Sequence, residues 1–124
     1  MTQKEKELLL KDLCARLPYG VKVRYSSPKE FVTCTLHSIN PVYNNADLWS
    51  KSACFSPVSI RKIKPYLFPL SSMTEEQQID LTKFVANDIS GENIVYDWYN
   101  KNHFDYRGLI PKGLANDATG LNIY

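Results

Sequence analysis

Two prolines four residues apart, Pro65 and Pro69, interrupt the stretch Ile60–Gln77 (IRKIKPYLFPLSSMTEEQ) and narrow what the chain can become. Each removes a backbone donor and fixes φ. Each also pushes the residue before it, Lys64 or Phe68, toward extended geometry. The apolar residues Tyr66, Leu67, Phe68, Leu70 and Met73 are therefore expected in a strap laid across a core, neither regular helix nor regular ladder. The strap ends in a helix start. Thr74 reads as an N-cap with Gln77 three residues on, a capping box, and Glu75 and Glu76 suit the positive end of the helix dipole. The stretch thus reads as a rigid joint between a sheet half and a helical half.

Residues 3–16 predict an amphipathic helix opened by a Thr2–Glu5 capping box. Leu9, Leu10, Leu13, Cys14 and Leu17 are expected on its dry stripe, with Glu7–Lys11 and Asp12–Arg16 as i,i+4 pairs on the wet side. Pro18 and Gly20 end it. Residues 20–25 alternate as a strand with Val21, Val23 and Tyr25 inward and Lys22 and Arg24 outward, and residues 31–39 follow with Val32, Cys34 and Leu36 inward. Further strands are expected around Leu48–Phe55 and Val58–Ile63. A second helix should run from Glu75 to about Asn87 with Leu81, Phe84 and Val85 inward and Ile79 off the stripe. Asp88–Gly91 should break it, and a third helix should span Glu92–Asn102. The tail 105–114 is too rich in Gly and Pro for a regular element, yet apolar enough to pack down. The expected fold is a single α+β domain over residues 1–124. It has an N-terminal helix, a small curled antiparallel sheet of three or four strands with an SH3-like topology, two C-terminal helices and a packed irregular tail.

At 124 residues the chain can bury a sizeable core without metal or disulfide. Its 44% apolar and 23% charged content fits an ordinary globule. No apolar run has the length of a membrane span and no signal-peptide pattern opens the chain, so a cytoplasmic location and no membrane partner are expected. Cys14, Cys34 and Cys54 are odd in number and far apart, which predicts reduced, mostly buried thiols. Net charge is +2, but residues 1–64 carry eleven Lys/Arg against five Asp/Glu and residues 65–124 four against eight. Such asymmetry marks either a nucleic-acid face or two halves that attract each other on folding, and the lack of a basic run favours the second.

Three stretches resemble the signatures of a family of small uncharacterised proteins from prophages and mobile elements of anaerobic gut bacteria. They are residues 5–20 (EKELLLKDLCARLPYG), Ile63–Glu76 (IKPYLFPLSSMTEE) and Asp97–Leu114 (DWYNKNHFDYRGLIPKGL). Residues 26–59 depart from that pattern. The resemblance implies a bacterial or phage origin and a cytoplasmic life, and it brings no activity or catalytic residues to carry over.

Chemistry is sparse in the sequence. Cys34 and His37 form a Cys-x-x-His, but an offset of three in a strand places them on opposite faces, and no second ligand pair supports a metal. His103-Phe-Asp105 has the spacing of a base with its carboxylate, with Cys54 or Ser90 as nucleophile, yet no local motif singles any of them out. A His just past a helix C-terminus is also favoured by the dipole. Glu75–Glu76 are better explained by their place at a helix start, and no Gly-rich loop could cradle phosphate. No enzyme activity, cofactor, metal or small-molecule substrate is therefore expected.

Two surfaces remain. Trp98, Tyr99, Phe104, Tyr106 and Arg107 form a candidate interaction surface for an unknown protein partner or for self-association, because aromatics and Arg are enriched at interfaces. Lys22 and Arg24 could join Arg61, Lys62 and Lys64 in a candidate nucleic-acid face, with Tyr25 or Tyr66 for stacking. The pI of 8.4 is below the strongly basic range of many nucleic-acid binders. The sequence therefore points first to a non-catalytic protein-interaction module, an accessory protein of a mobile element, and second to a small nucleic-acid-binding domain.

Overall fold

Both capping boxes form as the sequence requires. In the computed structural model, which describes residues 1–87 and 94–124, Thr2 and Glu5 exchange side-chain and backbone hydrogen bonds at the start of α1 (Gln3–Arg16). Thr74 and Gln77 do the same for α2 (Glu75–Ala86). A one-turn 3-10 helix, Leu17–Tyr19, continues α1 until Gly20 takes a left-handed φ of 65°, which only a residue without Cβ adopts freely. The expected break at Asp88–Gly91 and the start of the third helix at Glu92 lie outside the described residues. That helix, α3, is described from Ile94 to Lys101.

Strands β1 (Lys22–Ser26), β2 (Phe31–Asn40), β3 (Asn45–Trp49) and β4 (Cys54–Ser59) form an antiparallel meander. A 3-10 turn at Ile60–Lys62 leads to β5 (Ile63–Pro69), which returns beside β1. The order β4-β3-β2-β1-β5 is that of an open SH3-like barrel. Two-residue strands β6 (Phe104–Asp105) and β7 (Asn116–Asp117) pair with β5 in parallel. The sheet is therefore mixed and seven-stranded rather than antiparallel with three or four strands. The expected strands at 48–55 and 58–63 each straddle a turn. Residues 50–53 turn without Gly or Pro because Ser50 does the work: its N–H and hydroxyl donate to Ala53 O, and its hydroxyl accepts from Ala53 N–H.

The proline strap is also a strand. Val21 turns its carbonyl to β2, so by alternation Lys22 and Arg24 turn their backbone polar groups to β5, where Arg24 sits opposite Lys64. Lys64 and Tyr66 then face β1, and Pro65 faces away, so β1 never asks for the missing donor. Proline is tolerated in a ladder only at such positions. The next ladder position opposite Lys22 is filled by a side chain. The Tyr124 hydroxyl lies 2.8 Å from Lys22 N, 2.8 Å from Tyr66 O and 3.4 Å from Lys22 O. Beyond it, Phe68 N–H donates to His103 O at 2.8 Å, and β6 carries the line on.

The inner face of the sheet and α1 enclose one core, built from Leu9, Leu13, Val21, Val23, Leu36, Leu48, Ile60, Ile63 and Leu67. The tail packs down as expected, adding Leu109, Leu114 and Ala115. By contrast α2 buries nothing completely. Leu81 and Phe84 are half-buried while Ile79 and Val85 are exposed, and the Trp98 indole ties the helix to α3 by donating to Asp80 at 2.9 Å. Of the three cysteines only Cys34 is buried; Cys14 and Cys54 are exposed.

The largest departure concerns Asp12 and Arg16, expected on the wet side and found 0% exposed. Their ion pair (2.9 Å) lies in the interior, where Arg16 also donates to Phe104 O at 2.6 Å and Tyr99 O at 3.5 Å. The second Asp12 oxygen accepts from Arg107 Nε at 3.1 Å. Removing one member of a buried pair strands the other charge. Asp12→Ala should therefore cost about 3–5 kcal/mol in urea unfolding, while Lys11→Gln on the exposed neighbouring position should change stability by less than about 0.5 kcal/mol. A loss below about 1 kcal/mol for Asp12→Ala would refute this role.

Candidate nucleic-acid interface

A strand alternates its side chains between two faces. With Val23, Cys34 and Leu36 inward, the outer face carries Lys22, Arg24 and Ser26 of β1 opposite Thr35, Thr33 and Phe31 of β2. Lys64 of β5 joins them opposite Arg24, and Trp49 of β3 lies opposite Thr35. His37 occupies the irregularity between β2 and β3 and stacks on Trp49, ring centroids 3.7 Å apart and planes 13° from parallel. Cys34 is buried and His37 exposed, so the Cys-x-x-His pair is split across the sheet.

The cations on this face are held but not neutralised. Lys22 Nζ donates to Thr35 Oγ1 at 3.2 Å. The Arg24 guanidinium lies 4.3 Å from the Phe31 ring centroid, and its buried Nε has no partner among the described residues. Phe31 and Trp49 are 65% and 52% exposed, large apolar rings left in water on a face that also carries positive charge. Asp47, the acid of β3, is engaged by the hydroxyls of Ser56 and Ser38, which hold its carboxyl below the usual carboxylate range. The two ion pairs found among the described residues both centre on Asp12, so no cation of the sheet is paired with an acid of the helical half. The ion pair that does join residues 1–64 to 65–124, Arg107–Asp12, runs against the asymmetry, a cation of the acidic half on an acid of the basic half.

A groove of about 790 Å³ opens on this face. Lys22, Thr33 and Thr35 contribute from β1 and β2, Trp49 through Ser52 from the end of β3 and its turn, and Asn122 and Ile123 from the tail. The turn brings in Lys51. Among the described residues no Asp or Glu lines the groove.

Of the basic face read from the sequence, Lys22, Arg24 and Lys64 are brought together. Arg61 and Lys62 sit exposed on the 3-10 turn before β5 and do not line the groove. The stacking residues were misplaced. Tyr25 packs inward against Phe55 (5.0 Å), and Tyr66 is 8% exposed. Alternation already separates Tyr25 from Arg24 and places Phe31 outward on β2; Trp49 and Lys51 are hidden because the expected strand at 48–55 runs through their turn.

The aromatic interaction surface is also corrected. Trp98 and Phe104 are each 1% exposed and stack on one another, 5.6 Å apart and 9° from parallel. Tyr99 stacks on Tyr106 at 5.7 Å, and Arg107 bonds Asp12. Trp98 and Phe104 are interior packing that fastens α3 to β6, where a partner cannot reach them.

The His103–Asp105 dyad does not assemble. Asp105 is buried and accepts from the backbone N–H groups of Leu109 and Ile110 at 2.9 Å each, closing the tail's turn. His103 stacks on Tyr124 at 3.7 Å, and its buried Nδ1 has no partner among the described residues. Cys54 lies opposite Trp49 on the other side of the meander, and Ser90 lies outside the described residues. Burial, then the charges of Arg16 and Lys22, lower the His103 pKa to about 4, and burial pushes the Tyr124 hydroxyl up.

Scans of family models, curated proteins and solved structures return no match to this chain.

The lowered pKa of His103 fixes a sign. Between its ordinary value of 6.5 and about 4 the unfolded chain binds a proton that the folded chain refuses. This contribution to stability is complete above about pH 6.5, falls as pH drops and levels off below about pH 4. His103→Asn, which tolerates the observed φ of 63°, should flatten that part of the curve of urea midpoint against pH. An unchanged slope would remove the assignment.

Proposed function

We propose that the protein is a non-catalytic binding module that takes single-stranded nucleic acid in the groove on the outer face of its sheet. The observation that carries this reading is the groove itself: among the described residues it is lined by no acid, and it sets a half-exposed tryptophan beside Lys22 and Lys51. Trp49 has one ring face covered by His37, leaving the other for a base. Base stacking is tolerant of sequence because every base has a π-face. The two lysines, with Arg24 and Lys64 nearby, suit a phosphate backbone, and the hydroxyls of Thr33, Thr35, Ser50 and Ser52 can reach sugar and phosphate oxygens.

A single strand fits better than a duplex, whose base faces are already stacked. The sequence shows no helix-turn-helix pattern. Residues 22–64 carry seven Lys/Arg against two Asp/Glu, so the net charge of +2 for the whole chain understates the charge of the barrel. Under the resemblance noted above, this would be a mobile-element accessory protein that acts by binding. The surface at 98–107, on which the protein-partner reading rested, has Trp98 and Phe104 in the interior, which moves the balance to the second reading.

Fluorescence anisotropy with labelled single- and double-stranded oligonucleotides across a salt series tests the proposal. Single strands should bind at low salt, and Trp49→Ala should weaken them by roughly tenfold to a hundredfold, the worth of one stacked base. Lys22→Gln and Lys51→Gln should each flatten the plot of log K against log salt by about 0.7, one phosphate contact apiece. No binding at low salt, or binding indifferent to Trp49, would reject the groove as the site.

A further inference from the structure

A second cavity, of about 590 Å³, lies where α1, α3 and the tail meet, and it shares no residue with the sheet groove. Lys11, Tyr96, Asp97, Asn100, Tyr106 and Arg107 line it. Behind it stands the buried cluster in which two guanidiniums share one carboxylate: Asp12 accepts from Arg16 on one oxygen and from Arg107 on the other. That cluster has a formal surplus of one positive charge. Arg16 and Asp12 are 0% exposed, whereas the Arg107 side chain is 16% exposed, so the surplus reaches water at Arg107.

The hydrogen bonds around Arg107 have a direction. Its Nη2 donates to the Tyr106 hydroxyl at 2.7 Å, so that hydroxyl in turn donates to Asn100 Oδ1 at 3.0 Å. The oxygen of Asn100 is thereby committed. Its amide nitrogen has no protein partner among the described residues, although the residue is only 6% exposed and lines the cavity. Arg107 Nη1 likewise has no protein partner among them. These donors and the Lys11 ammonium share a cavity with a single acid among the described residues, Asp97. Tyr96, 50% exposed and tilted 39° against Tyr106 at 5.0 Å, adds an open aromatic face.

We propose that this cavity is a binding site for a monocarboxylate bearing a flat apolar group. The carboxylate takes the free donors of Arg107 and Asn100, with Lys11 beside it, and the apolar group lies on Tyr96. Planar guanidinium and carboxylate groups match in geometry, and charge assistance strengthens such bonds. A single negative charge balances the surplus of the buried cluster, while Asp97 opposes a polyanion. The same chemistry is offered by a small aromatic acid and by the C-terminal carboxylate of a polypeptide ending in an aromatic residue.

Calorimetric titration of the full chain separates these sources. The probes are benzoate, a short peptide ending in Phe with a free carboxylate, the same peptide amidated, and inorganic phosphate. Saturable binding of benzoate supports the site for a small acid. Binding of the free-acid peptide and not its amide supports it for a chain terminus. Lys11→Gln, an exposed position away from the buried cluster, should weaken either ligand roughly twofold to fivefold, and Tyr96→Ala roughly threefold to tenfold. The idea is overturned by no saturable heat from either carboxylate, by phosphate binding more tightly than both, or by affinity indifferent to Lys11 and Tyr96.

Discussion

The carboxylate of Asp12, pinned between two guanidiniums out of reach of water, is the constraint on which the rest of the structure depends. It joins residues 95 positions apart in sequence and holds α1, β6 and the tail in one register. Apolar contacts alone would let a helix slide on a sheet at little cost, because methylenes are interchangeable. Charges taken from water are not interchangeable: each must find its own partner or the fold loses several kcal/mol, on the order of the total stability margin of a small domain. The tail fixed in this way runs on through Leu109 and Leu114 in the core to Asn122 and Ile123 in the groove. The network thus lies under both cavities, one as its back wall and the other through the chain that it anchors.

Charge is sorted by layer. The sheet strands carry cations outward, the acid among them is engaged by two serines, and most other acids of the described residues lie on α1, α2, α3 and the tail. The sheet's cations pair with none of these in the described residues, which leaves their field facing solvent. A modest overall charge therefore coexists with a locally positive surface, and local charge is what a phosphate chain senses within a Debye length of roughly 10 Å.

Much of the architecture was legible because its signals are local. Caps are read from four residues, and both form. Alternation gave β1 and β2 with the right residues inward. The misreadings came where a strong signal was trusted over geometry. The two prolines implied a break in the ladder, but with odd spacing avoided they fall on one side of β5 and leave its other side intact. The turn at residues 50–53 carries no Gly or Pro and so gave no warning, which displaced β3 and β4 and hid Trp49 and Lys51. The Asp12–Arg16 pair was assigned to water because it is charged. At roughly 100° per residue Arg16 falls about 20° from Leu9, on the side away from Leu13, so it shares their stripe, and Cys14 falls far from both. The position was readable; the prior against buried arginine overruled it. Nothing local could have revealed Arg107 as the third member, since that contact exists only once the tail has folded back.

Pro65, Leu67 and Pro69 all point their main-chain polar groups to the side of β5 away from β1. With both prolines lacking a donor, that margin offers the N–H of Leu67 flanked by two blocks, and the chain covers it with two residues of its own, Asn116 and Asp117. A foreign strand seeking to extend the sheet there would find no run of donors to pair with. The same residues that make the segment look unsuited to a ladder close this border of the barrel to edge-to-edge aggregation.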